Sequence, residues 1–135
     1  MIKRFLIYIS FFCVLAIVLI SQACDDTLNQ VDDSYIPEKD ISFSIHLQQV
    51  FEAKCNNAEC HNSQFRAGGI SFSSCAEATE NPLVVFPYEP GNSTLVWSIE
   101  NQSGASQMPP LGYQPLTSNQ IRGIKTWIAE GAKCN

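Results

Sequence analysis

Two thiols and an imidazole lie close together in the middle of the chain, at Cys55, Cys60 and His61. Two cysteines can bond the vinyl groups of a porphyrin as thioethers, and a histidine directly after the second can reach the axial position of the iron. The usual spacing is C-x-x-C-H, whereas residues 56–59 separate the cysteines here. We expect the longer loop to bulge while Cys60 and His61 stay adjacent, and we predict covalently bound haem c.

Two other interpretations of these residues stay open. In an oxidising compartment, Cys55 and Cys60 can form a small disulfide loop, with His61 as an ordinary surface residue. A zinc site is a weaker alternative, because export favours disulfides and the chain has no second Cys-x-x-Cys or histidine pair to complete one.

A second iron ligand is available from Met108, the only methionine besides Met1. It lies in the run Gln107-Met108-Pro109-Pro110, where the prolines restrict the backbone and leave the sulfur little conformational freedom. A thioether opposite a histidine is found in electron-transfer haems and raises their reduction potential. We therefore predict His61 and Met108 as the axial ligands. His46 is a rival ligand, but it lies in a predicted helix, where we expect a surface or packing histidine.

The first 23 residues have the pattern of an export signal. Lys3 and Arg4 precede an apolar run over residues 5–20, which is short against the about 20 residues that span a bilayer. Ala23 before Cys24 is similar to a bacterial lipoprotein cleavage site, so we predict lipidation at Cys24 and a membrane-anchored protein facing the periplasm or the cell exterior. Ser21 replaces the leucine usual at such sites, so an ordinary cleaved signal and an uncleaved anchor remain alternatives.

Four cysteines lie beyond the signal and Cys24, and lone thiols are rare in exported proteins. If haem takes Cys55 and Cys60, Cys75 and Cys134 are left to form a disulfide with each other. Without haem, the same four thiols can form two disulfides.

Charge divides the exported part into a linker and a domain. Residues 25–40 hold six acids and one base, which predicts a solvated tether, whereas residues 41–135 hold seven acids and five bases. No basic stripe is present for nucleic acid or anionic lipid. We predict a signal peptide at 1–23, a lipid-anchored acidic linker at 24–41 and one domain at 42–135.

The hydrophobic periodicity of the domain is helical at both ends. It predicts a helix over residues 43–54 that delivers Cys55, with Asp40 or Ser42 as its cap. A second helix begins at Thr117, which can form a capping box with Gln120, and ends at Gly131. Shorter helices are predicted over 74–79 and 93–100.

These motifs resemble the planctomycete-type c-type cytochrome domains over residues about 43 to 132. The similar blocks are residues 51–55 with 60–61, then 67–72, 89–96, 108–110, 116–117 and 131–132. The resemblance implies an all-α, cytochrome c-like domain of about three to five short helices. It further implies haem bonded through Cys55 and Cys60, with His61 and Met108 on the iron. The four-residue gap and Asn62, where many members have glycine, depart from the family pattern.

The predicted function is therefore that of a monohaem carrier of single electrons, with redox proteins as partners and no nucleic acid. The alternatives are a haemless binding or structural domain held by two disulfides, and a haem enzyme or gas sensor with an open iron site. Eight apolar residues are candidates to wall the ring: Phe51, Phe65, Ile70, Leu95, Trp97, Leu111, Tyr113 and Trp127.

Overall fold

The computed structural model describes Val31, Asp32 and residues 34–135. The predicted signal peptide at 1–23 and the predicted lipid site at Cys24 lie outside these residues. Among the helices that are described, none has the length and apolar character needed to cross a membrane.

Four short α-helices form the framework of the domain. They are α1 (Gln48–Lys54), α2 (Cys75–Ala78), α3 (Thr94–Ile99) and α4 (Ser118–Ala129), with short 3-10 turns at Ala67–Gly69 and Pro90–Asn92. The described part of the chain contains no strand, so the prediction of a small all-α domain with long loops is confirmed.

Side-chain caps are present at the first helical turn, at α2 and at α4, where the sequence predicts them. Ser42 caps the first helical turn, and the Ser74 hydroxyl accepts a hydrogen bond from the Glu77 amide at the start of α2. At α4 the Thr117 hydroxyl accepts from the Gln120 backbone amide (3.2 Å), and the Gln120 side-chain oxygen Oε1 accepts from the Thr117 backbone amide (2.9 Å). This capping box satisfies two donors that a helix start would otherwise leave unpaired.

The first predicted helix, over residues 43–54, is not uniform. Residues Phe43–Leu47 form one π-helical turn, and only Gln48–Lys54 is α-helical. Apolar spacing does not reveal this difference, because one wider turn still leaves Phe43 and Leu47 buried on the core side.

Stacked aromatic rings form the centre of the core. Phe51 stacks on Phe43 and on Phe72, with ring centroids 5.6 and 4.9 Å away, and Trp127 of α4 packs against Phe43 at 5.3 Å. The Trp127 indole N–H donates to the Lys133 carbonyl oxygen, so its polar atom is satisfied although the side chain is fully buried. The rings fix α1, α4 and the loop at Phe72 relative to one another.

The lead-in segment, which we define as Val31, Asp32 and residues 34–41, packs on α4. Ile36 is 2% exposed and lies against Gly123, whose lack of a side chain leaves room for it. Arg122 donates to the Ile36 and Pro37 carbonyl oxygens, both at 2.9 Å. The expectation of a solvated tether over residues 25–40 is therefore wrong for this part, because a buried apolar anchor and helix side chains hold it. The domain boundaries themselves stay a prediction.

A disulfide joins Cys75 at the start of α2 to Cys134 near the chain's last residue. These are the two cysteines that remain to pair with each other once Cys55 and Cys60 are assigned to haem. Within the described part of the chain, the other two cysteines, Cys55 and Cys60, are free thiols and are not bonded to each other.

Candidate functional site

Helix α1 ends where the two thiols begin. Cys55 is its C-terminal cap, and its amide donates to the Phe51 carbonyl oxygen at 2.9 Å. The chain then turns so that the His61 amide donates to the Cys55 carbonyl oxygen at 3.0 Å. That hydrogen bond closes the loop across the extra residues, so the wider spacing still brings Cys55 close to Cys60 and His61.

Asparagine side chains brace this loop. Asn57 donates to the Ala53 carbonyl oxygen at 3.4 Å, and Asn62 donates to the Asn57 carbonyl oxygen at 3.1 Å. The Asn62 side-chain oxygen also accepts from the Phe65 amide at 2.8 Å. Asn62 therefore has a structural role, because it holds both sides of the motif.

His61 is positioned by Phe72. Their rings meet edge to face with centroids 5.5 Å apart, and the Phe72 amide donates to the His61 carbonyl oxygen at 2.9 Å. The Nδ1 atom of His61 is buried and has no hydrogen-bond partner among the described residues. A buried polar atom without a partner costs about 1–3 kcal/mol, so this imidazole lacks the bonding that buried histidines normally have.

Burial in this pocket changes the acidity of Cys55. Desolvation by burial and, to a smaller extent, the nearby Cys60 raise the pKa of the Cys55 thiol to about 12, although Lys54 acts in the opposite direction. Cys55 is therefore a neutral thiol at physiological pH, and thiols of this kind exchange and alkylate slowly because the thiolate is the nucleophile.

Met108 is held at the other side of the site by α3. Its amide donates to the Ser98 carbonyl oxygen at 3.0 Å, and its side chain is half-buried. The following Pro109 is buried and has no amide hydrogen to satisfy, so the loop enters the interior at this point without an unpaired donor.

One cavity brings the predicted residues together. Cys55, Cys60, His61 and Met108 all line it, and most of the remaining wall is apolar. That wall includes Ala67, Ile70, Phe72, Val84, Leu95, Ile99, Pro109, Pro110, Tyr113 and Leu116. Two thiols, an imidazole and a thioether around an apolar cavity fit haem c, since haem c takes two thioether bonds and two axial ligands from protein.

The predicted ring wall is only partly correct. Ile70, Leu95 and Tyr113 line the cavity, whereas Phe51 and Trp127 are fully buried in the aromatic core. The other three, Phe65, Trp97 and Leu111, lie outside the cavity wall.

Phe65 and Leu111 are exposed, by 57% and 87%, and the Trp97 indole donates to the Gly91 carbonyl oxygen on the outside of α3. Val84 and Leu116 replace them in the wall. The only sequence signal for Val84 is an apolar pair in a loop, which has no periodicity that points to a site.

Lys54 adds a buried positive charge to the cavity wall. Its ammonium group lies 2.8 Å from an Asp32 carboxylate oxygen and 3.4 Å from the Pro115 carbonyl oxygen. The side chain is 1% exposed, so the ion pair with Asp32 compensates a charge that is removed from water. The ion pair links the lead-in segment directly to the candidate site.

His46 lies outside the cavity. Its Nδ1 atom accepts a hydrogen bond from the Ser42 amide at 2.9 Å, which satisfies it within the first helical turn. Among the described residues, no group of three or more histidine, cysteine, aspartate or glutamate side chains could hold a metal ion. A haem iron needs no such group, because the porphyrin supplies four nitrogens and the protein supplies only the axial ligands.

A comparison with family models found a match that spans less than half of the chain. Residues 58–112 match the family described as Planctomycete cytochrome C, a span that holds Cys60, His61 and Met108 but begins after Cys55. Neither the curated proteins nor the solved structures gave a significant match. The family match supports a planctomycete-type cytochrome c domain in this chain, in agreement with the motifs that the sequence shows.

Proposed function

We propose that the protein is a monohaem c-type cytochrome that carries single electrons outside the cytoplasmic membrane, anchored through lipid at Cys24. The observation that carries the proposal is the convergence of Cys55, Cys60, His61 and Met108 on one apolar cavity. The family match over residues 58–112 supports a cytochrome independently. The expected partners are redox proteins in the same compartment.

Each cavity residue has a defined task in this proposal. Cys55 and Cys60 would hold haem c as thioethers, while His61 and Met108 would bind its iron. Bound haem supplies a one-electron couple between ferric and ferrous iron. The apolar side chains exclude water from the cavity, and Asp32 neutralises the buried charge of Lys54. The protein thereby keeps its cofactor oriented and its ligands fixed during electron transfer.

The haemless alternative needs a bond between Cys55 and Cys60. Both are free thiols in the structure, and burial raises the pKa of Cys55, which slows disulfide formation. The His61 Nδ1 atom is also buried without a hydrogen-bond partner among the described residues, so no protein group holds the imidazole at that atom. These observations favour the cytochrome over a domain with two disulfides.

Absorbance of the full-length protein, produced with haem-maturation machinery, tests the proposal. We expect a c-type spectrum that changes reversibly between oxidised and reduced forms in a one-electron titration. A folded protein without haem, carrying a Cys55–Cys60 disulfide beside the Cys75–Cys134 one, would contradict it and favour the binding or structural domain.

A further inference from the structure

An exposed apolar turn lies at the mouth of the cavity. The Tyr113 amide donates to the Pro110 carbonyl oxygen at 3.1 Å, and Gly112 takes the positive φ of +96° that such a turn allows. Leu111 is therefore at the tip and is 87% exposed, while Tyr113 is 53% exposed. We call residues 110–113 the exposed turn.

No charged residue surrounds the exposed turn in the sequence. The chain has no acid or base between Glu100 and Arg122, although both flanking regions carry several. A charge would have to lose its hydration on entering an apolar medium, which is costly. This stretch avoids that cost, and it presents a leucine and a tyrosine, the latter a residue enriched where membrane meets water.

The lead-in segment is fixed beside this turn. The Asp32 carboxylate accepts from Gln114 at 2.7 Å, directly after Tyr113, and from Gln120 of α4 at 3.1 Å. It also pairs with buried Lys54 at 2.8 Å. The chain that comes from Cys24 therefore meets the domain next to the exposed turn rather than at an arbitrary point of its surface.

The length of that chain limits how the domain can face a membrane. Seven residues from Cys24 to Val31 span at most about 25 Å when fully extended. A domain of about 100 residues has a radius of gyration of about 13 Å, which corresponds to about 34 Å across. A tether shorter than the domain cannot turn the opposite face toward the bilayer.

We propose that the exposed turn docks into the interface of the membrane that holds the lipid anchor, so that the mouth of the haem cavity faces the bilayer surface. This inference rests on the lipid anchor of the proposed function. Of the other large exposed apolar residues, Ile45 and Leu83 have no hydrogen bond to the lead-in segment. Tyr35 lies within that segment, but the acids Asp33 and Glu38 are close to it in the sequence. The exposed turn combines apolar exposure, a stretch of sequence without charges and a position beside the start of the tether.

Hydrogen exchange on the full-length, lipidated, haem-loaded protein bound to phosphatidylcholine vesicles tests the docking. The Leu111 and Gly112 amides donate no backbone hydrogen bond in the structure, so they should exchange fast in detergent-free solution. We expect their exchange to slow at least about fivefold on vesicles. Leu111→Asp should abolish the slowing while the protein still floats with the vesicles.

Leu83→Asp is the matched control, because Leu83 is also an exposed leucine (71%) and should leave the slowing intact. Unchanged exchange of the turn in floating wild-type protein would overturn the docking and favour a protein partner there. If the wild-type protein does not float with the vesicles, it has no working lipid anchor, and the docking proposal is overturned. Absorbance of the same samples reports haem separately, so a failure of docking is distinguishable from a failure of the cytochrome proposal.

Discussion

At the scale of single residues, the two proposed iron ligands, His61 and Met108, are far apart in the chain. His61 is fixed by the ring of Phe72, whereas Met108 is fixed through its own amide on α3. Because different elements hold them, each can be changed without moving the other. The roles of the two residues can therefore be tested separately.

Met108→Ala tests the thioether ligand. We expect the ferric protein to lose the weak far-red band of sulfur bound to iron, the ferrous protein to bind carbon monoxide readily, and the reduction potential to fall, because a thioether favours ferrous iron. Gln107→Ala is the control, since Gln107 is exposed and lies outside the cavity wall. An unmodified protein that lacks the band and binds carbon monoxide readily would instead indicate an open iron site, as in a haem enzyme or gas sensor.

The raised pKa of Cys55 predicts slow alkylation in the haem-free protein. At pH 8 the native thiol should react with iodoacetamide more than about a hundredfold slower than the same thiol in urea, because few native molecules are thiolates. Peptide mapping reads Cys55 separately from the other cysteines. If Cys55 is alkylated equally fast in buffer and in urea, the native thiol is hydrated, which would contradict the prediction.

The same shift predicts a pH dependence of stability. The folded pKa of Cys55 is above its ordinary value of 9.0, so the unfolded chain loses this proton first. Below pH 9 the thiol is protonated in both states, so it should not change the free energy of unfolding of the haem-free protein. As the pH rises toward 12, this free energy should fall by at most about 4 kcal/mol. Denaturant unfolding of wild type and Cys55→Ser, compared across this range, isolates the contribution. Parallel pH profiles would contradict it.

At the scale of elements, α4 holds both the aromatic core and the lead-in segment. Its Gly123 allows Ile36 to approach so closely that an added Cβ would lie 2.6 Å from the Ile36 Cγ2 methyl group. Glu130 is the C-terminal cap of this helix, and its side-chain carboxylate accepts hydrogen bonds from the Asp40 and Ile41 amides. The position of the lead-in segment is thus determined by one glycine and a few polar side chains.

Gly123→Ala should displace the lead-in segment. Crowding of this kind costs about 1–3 kcal/mol, offset in part by the about 1 kcal/mol that alanine gains over glycine in a helix. We expect amides of residues 34–41 to exchange faster while the core of α4 stays protected. Gly91→Ala is the control, because nothing lies within 4 Å of a Cβ there. If exchange is unchanged in Gly123→Ala, the Ile36 side chain can move aside without releasing the lead-in segment from α4, and the prediction is wrong.

The sequence predicts those features that depend on neighbouring residues. The capping box of Thr117 and Gln120 and the cap at Ser74 are set within three residues, and both are present as predicted. The docking of Ile36 is not predictable in this way, because its partner Gly123 is distant in sequence and the surrounding acids suggest a hydrated chain. The same holds for Val84 in the cavity wall, whose burial depends on loops packing together.

At the scale of the whole molecule, the lead-in segment and the candidate site form one connected unit. The Asp32–Lys54 ion pair links the chain from the predicted anchor to the wall of the cavity. Elsewhere in the domain, Arg66 pairs with Glu77 and Lys125 pairs with Glu100. Apart from Lys54 and Glu59, the residues that line the cavity are uncharged.

The intact mass of the matured full-length protein, measured after denaturation and acid-acetone extraction, tests the central claim most directly. We predict the mass of the processed, lipidated polypeptide plus one haem for the wild type, and loss of that haem when Cys55 and Cys60 are both replaced by serine. The matched control replaces Cys75 and Cys134 by serine instead. It removes the same number of cysteines but leaves Cys55 and Cys60 in place, so the haem should stay bound. A wild-type mass without haem, with Cys55 linked to Cys60, would contradict the account.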